Sequence, residues 1–163
     1  MNKSTIELSA IKLVGVTART NNAAEMKLET AKIGTTMQKF FSDNIRAKIL
    51  HRKNPGKVMA VYTNYASDFT GDYTYFIGGE VTSFEGINEG LESMTIPPQS
   101  YTKFTSAAGA MPNIVIDMWQ QIWQMQVAEL GGERAYVADF EIYDERSHDP
   151  QNAIVDVYIG IKR

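Results

Sequence analysis

The order of elements along the chain repeats, and this constrains the fold more than any other feature. Residues 11–16 read as a β-branched, apolar strand, residues 29–44 as a helix, and residues 57–65 and 72–81 as two strands joined by a turn at 68–71. The second half runs the same way. A strand passes through residues 101–105, a helix spans about 112–127 with Pro112 suited to its first turn, and strands at 135–143 and 153–161 flank a turn-rich segment. Particular residues correspond. Ile33 and Met37 match Ile114 and Met118; Ala60, Tyr62 and Tyr65 match Ala138, Phe140 and Tyr143; the strand end at 75–78 matches that at 157–160. One unit alone exposes a sheet edge and an uncovered apolar face, and two units paired about a pseudo-twofold axis bury both. The expected fold class is therefore α+β, a duplicated β-α-β-β unit with an antiparallel sheet and two helices. Repeat one covers about 9–82 and repeat two about 96–162, inside a single domain spanning 1–163.

A length of 163 residues, 44% hydrophobic and 21% charged, suits a globular domain with a sizeable core. The net charge of −3 gives no basic surplus for direct nucleic-acid contact or an anionic membrane. Cysteine is absent, which removes disulfides, thiolate metal sites and a cysteine nucleophile. The two histidines, His51 and His148, lie in polar surroundings, so no metal site and no cofactor are expected. The N-terminal residues lack an apolar signal core, and no apolar run approaches the roughly 20 residues that cross a bilayer. These features together predict a soluble, cytoplasmic chain.

Glu141 is the residue with most to explain. Strand alternation puts Val137, Asp139, Glu141 and Tyr143 on one face and Ala138, Phe140 and Ile142 on the other. With Phe140 packed under a helix, Glu141 and Tyr143 share the opposite face. Glutamate is disfavoured inside strands, so it either meets water, the ordinary case, or is kept for a task. Trp119 and Trp123 lie one helical turn apart, and Tyr62, Tyr65, Tyr73 and Tyr75 come from the first repeat. Trp119 fits a plain core position as well as a binding one. Ile33, Met37, Phe40, Phe41 and Ile45 recur at helical spacing and form one buried stripe. Gly71, in the first hairpin turn, is free to take a positive φ. Residues 144–149 read as a solvated hairpin tip, and the basic run Arg46, Lys48, His51, Arg52 and Lys53 as a helix C-terminus favouring positive charge.

The Phe-Glu-x-Tyr motif at 140–143 follows a helix bearing Ile122-Trp123 and precedes a final apolar strand. With the early Val-Gly-Val strand (14–16), Gly-Gly-Glu-Val (78–81) and the segment 96–104, the chain resembles the GyrI-like family from about residue 9 to 162. That family comprises the effector-binding domains of AraC-type and multidrug-sensing regulators, and free-standing relatives. The resemblance implies an SHS2-type duplicated fold with a central groove that takes flat or lipophilic, often cationic, small organic molecules. It makes Glu141 the ligand-facing carboxylate and Trp123 a groove tryptophan, with Trp119, Tyr143, Tyr62, Tyr73 and Tyr75 as further ligand-binding candidates. Aromatic faces attract cations by about 0.5–2 kcal/mol each, and a buried carboxylate has a raised pKa until a cation arrives. No helix-turn-helix is recognisable, so transcriptional control would need a separate DNA-binding or target protein. Two other functions fit the same resemblance. One is a hydrolase of reactive electrophiles, with Glu141 as general base and Tyr73 or Tyr75 as proton donor. The other is a gyrase-inhibitor-like protein-interaction module using an outer face.

Overall fold

The computed structural model describes residues 1–162. Eight strands form one antiparallel sheet: β1 (Asn2–Leu8), β2 (Ile11–Thr20), β3 (Val58–Thr63), β4 (Tyr73–Glu80), β5 (Glu92–Ile96), β6 (Gln99–Thr105), β7 (Ala138–Tyr143) and β8 (Asp156–Ile161). Their spatial order is β1-β6-β8-β7-β3-β4-β2-β5. The halves meet where β3 runs antiparallel to β7, with Ala60 opposite Glu141 and Val61 opposite Phe140. The fold is thus the mixed α+β duplication that the sequence implies.

Two strands were not legible in the sequence, and they bind the halves together. β1 leads into β2 of the first repeat yet pairs with β6 of the second; β5 leads into β6 yet pairs with β2. Each repeat therefore lends a leading strand to the other. Both lie at sheet edges and carry mixed, largely exposed residues, so they lack the apolar alternation that marks a half-buried strand. Because β1 and β5 sit at opposite ends of the order but connect directly to strands at the other end, the sheet must curl. Its inner face encloses a core drawn from all eight strands, including Leu13, Val61, Phe76, Tyr101, Phe140 and Tyr158.

That core overturns one expectation. Phe140 does not pack under a helix; it stacks on Tyr158 at 4.5 Å, on the strand-only face. Glu141 and Tyr143 still share the opposite face, but that is the helix face. On it, α2 (Ile33–Ser42) packs Phe40 against Val14, Ala60 and Ile77, and α3 (Asn113–Gln124) packs Met118 and Ile122 against Phe104, Val157 and Ile159.

Further differences have local causes. The first-repeat helix is shorter than its apolar spacing suggests, and Phe41 is left 46% exposed. The loop expected at 21–24 contains a one-turn helix, α1 (Asn22–Glu25), because the Asn21 side chain accepts the Ala24 N–H as an N-cap. The second-repeat helix stops at Gln124, and a one-turn α4 (Val127–Leu130) follows, closed by Gly131 in the left-handed region. Gly71 does not take a positive φ. Its lack of a side chain instead makes room for Ser67, whose Oγ would lie 2.3 Å from a Cβ there. The 144–149 tip is not simply solvated. Asp144 and Asp156 are buried and share the Arg146 guanidinium at 2.9 and 2.7 Å.

Candidate functional site

Between α2 and α3, above the β3–β7 junction, the helix face opens into a cavity of about 650 Å³ lined from both repeats. Glu141 lies in its wall, only 1% exposed to solvent. Opposite it across the ladder stands Ala60. Three neutral donors hold the carboxylate. Tyr143 Oη donates to Oε1 at 2.5 Å, while Tyr62 Oη and Trp119 Nε1 both donate to Oε2 at 2.7 Å. Among the described residues no cation lies within ion-pair distance of it. Burial raises the Glu141 pKa, and the hydrogen bonds from Tyr143, Trp119 and Tyr62 oppose that rise in part. The same burial, with the nearby Glu141 charge, pushes the Tyr62 and Tyr143 phenols well above their ordinary value, so both stay protonated donors.

Aromatic rings continue outward from the carboxylate. Tyr62 meets Trp119 edge-on at 5.1 Å and Tyr73 at 5.6 Å; Trp119 leads to Trp123 at 6.4 Å, and Trp123 stacks on Phe69. Ile33, Met37, Met111 and Val115 complete the apolar lining. The mouth is bordered by apolar side chains that water reaches, notably Met26, Phe69, Ile116 and Trp123.

Of the residues singled out in the sequence, Glu141, Trp119, Trp123, Tyr143, Tyr62 and Tyr73 all line this cavity. Tyr75 does not. It is fully buried in the core beneath α2, behind Tyr62, and its hydroxyl has no hydrogen-bond partner. Tyr73 and Tyr75 lie two residues apart on one face of β4, and alternation alone does not tell which of them the helix covers.

Tyr65, one of the tyrosines noted in the first repeat, also lines the cavity, and other lining residues escaped the sequence reading. Tyr65 lies beyond the end of β3, and Phe69 comes from a turn whose apolar residue has no periodic partner. Glu25 binds the first turn of α2 through the Lys32 and Ile33 N–H groups. Arg134 follows a Gly-Gly pair, with no pattern to distinguish it from a surface arginine. It pairs with the wholly buried Asp139 at 2.6 Å. Asp139 also accepts from Tyr65 Oη at 2.5 Å and from the Gly160 N–H at 2.7 Å.

Comparison with known proteins agrees with this architecture. Residues 5–161 match the family described as Cass2, integron-associated effector binding protein. A putative transcriptional regulator protein of Bacillus subtilis (strain 168), YobU, is 30% identical over 153 residues, covering 93% of this chain and 92% of that protein. An integron cassette protein from the mobile metagenome of Vibrio cholerae superposes with a TM-score of 0.74 at 30% identity, over 98% of this chain and 95% of the other. The structure of SAV2435 bound to tetraphenylphosphonium has the same fold, with a TM-score of 0.78 at 16% identity, covering 99% and 94%. With its duplicated sheet and the cavity between its helices, the chain belongs to the integron-associated effector-binding proteins, within the GyrI-like group.

Proposed function

We propose that this protein binds a lipophilic organic cation in the cavity, with Glu141 as its counter-charge and the surrounding rings as its walls. The observation that carries this reading is the buried Glu141 carboxylate, held by three neutral donors and, among the described residues, paired with no cation. Neutral hydrogen bonds orient such a charge and offset part of its desolvation, but they leave its sign uncancelled. A cation with an apolar shell supplies the missing charge and buries its own surface against aromatic faces. SAV2435, which shares the fold, is known in complex with tetraphenylphosphonium, a cation of this kind. A separate DNA-binding or target protein would read the occupied state, in keeping with the regulator description of YobU.

The arrangement favours binding over hydrolysis. Oε2 already accepts two hydrogen bonds and Oε1 one, so most of the lone pairs a general base would turn towards a water molecule are occupied.

Titration calorimetry with tetraphenylphosphonium and with a neutral aromatic of similar size tests the proposal. Glu141→Gln is expected to weaken the cation by roughly 2 kcal/mol or more, as when one member of a buried charge pair is lost, and to leave the neutral compound nearly unchanged. Equal losses for both compounds would reject the role given to the charge.

A further inference from the structure

The cavity presents a second carboxylate that a single positive centre at Glu141 leaves unanswered. Three of its lining residues are charged: Glu25, Arg134 and Glu141. Arg134 is already neutralised by the buried Asp139 at 2.6 Å. Glu25 is not. Its carboxylate accepts from Thr20 Oγ1 at 2.6 Å, from the Lys32 N–H at 2.8 Å and from the Ile33 N–H at 3.1 Å, all neutral donors. Among the described residues no cation lies within ion-pair distance of it. Two of the three donors belong to the first turn of α2, so Glu25 caps that helix, and the helix dipole offsets only part of its charge. Unlike Glu141, Glu25 is half-buried, and its side chain stays open to what enters the cavity. Contacts through lining residues join the two carboxylates. Thr20, which holds Glu25, stands opposite Tyr73 in the β2–β4 ladder; the Tyr73 ring meets Tyr62 at 5.6 Å, and Tyr62 Oη donates to Glu141. Burial, then the charges of Glu25 and Glu141, raise the pKa of the Tyr73 phenol, so the fields of both carboxylates meet at one point of the cavity wall.

We propose that the cavity takes an elongated dication, with one positive end at Glu141, the other at Glu25, and an apolar spacer between them. This deepens the cation-binding reading and rests on it. The spacer is apolar because Tyr62, Tyr73, Ile33 and Met37 form the wall beside the two carboxylates, where a polar chain would lose its hydration. The sheet sets its length. Glu141 stands on β7 and Glu25 is anchored to β2, three strand spacings away in the order β7-β3-β4-β2, or about 14 Å.

Matched probes test this. Decamethonium carries two trimethylammonium groups on a ten-methylene chain and reaches about that span when extended; decyltrimethylammonium has the same chain and one charge. Calorimetry on the wild type at alkaline pH, where Glu141 is charged, is expected to give about fivefold tighter binding of the dication, the upper worth of a partly exposed ion pair. The shorter pair, hexamethonium and hexyltrimethylammonium, should show no such advantage, because its dication cannot touch both carboxylates. Glu25→Gln keeps an acceptor oxygen for the α2 N–H groups but removes the charge, and should bring the ratio for the ten-carbon pair close to one. A ratio taken within one protein cancels any general loss of affinity, and the comparison of long and short pairs needs no variant should Glu25→Gln misfold. If neither decyltrimethylammonium nor tetraphenylphosphonium binds the wild type, the cation-binding reading and this one both fall. If they bind while decamethonium gains nothing, gains no more than hexamethonium does, or keeps its gain in Glu25→Gln, the two-point reading alone is overturned.

Discussion

At the scale of single residues, the proton on Glu141 makes both the fold and the proposed site depend on pH. Its pKa is raised by burial, so the folded protein holds that proton more tightly than the unfolded chain. The stability this group contributes is therefore fully present below the ordinary glutamate range and is lost as pH rises through it towards the raised value. The proposed cation binding has the opposite sign, because only the charged carboxylate would attract such a ligand. Affinity for tetraphenylphosphonium should rise with pH across the same interval and level off above it, while Glu141→Gln gives a flat profile. Tyr62→Phe removes one donor to Oε2. Without it the charged form is less well held, so the rise in affinity should move to higher pH, at a stability cost of about 1 kcal/mol. An unmoved profile would mean that Tyr62 does not support the charge. The identity of Glu141 was legible because a strand glutamate beside aromatic residues is unusual. Its donor set was not, since alternation gives the face of a side chain but not how far it reaches. Tyr75 shows the limit: two residues from Tyr73 and on the same face, it lies behind the wall.

At the scale of elements, the core strands and the two long helices were legible from their apolar periods. The edge strands β1 and β5 and the one-turn helices were not. They depend on partners distant in sequence, or on one capping side chain such as Asn21. The β2–β4 pair carries a constraint that periodicity also conceals. Gly15 and Gly78 face each other across the ladder, and a Cβ at Gly15 would lie 2.1 Å from the Ile77 carbonyl oxygen and 2.7 Å from the Gly78 Cα. Backbone atoms cannot move aside as a flexible side chain can. Gly15→Ala should therefore cost about 3 kcal/mol or more in denaturant unfolding. Gly79→Ala, whose new methyl group would meet Ile49 Cδ1 at 3.7 Å and Arg52 Nε at 3.9 Å, both ordinary contacts, should fall within about 1 kcal/mol of the wild type. Comparable losses for the two would show that the close strand approach is not what fixes this sheet.

At the scale of the whole molecule, the exchanged leading strands and the inner core shared by all eight strands leave no boundary along which the repeats separate cheaply. Calorimetry should show a single unfolding transition, with the melting temperature raised by tetraphenylphosphonium through linkage. Two resolved transitions would mean that the repeats are independent units. No helix among the described residues is long and apolar enough to cross a membrane. The position of the indoles has a practical consequence. The chain has two tryptophans, Trp119 and Trp123, and both border the cavity. One of them donates its N–H to the carboxylate that a cation would approach. All of the protein's indole fluorescence therefore originates at the cavity wall, and its intensity and colour report occupancy without any attached dye.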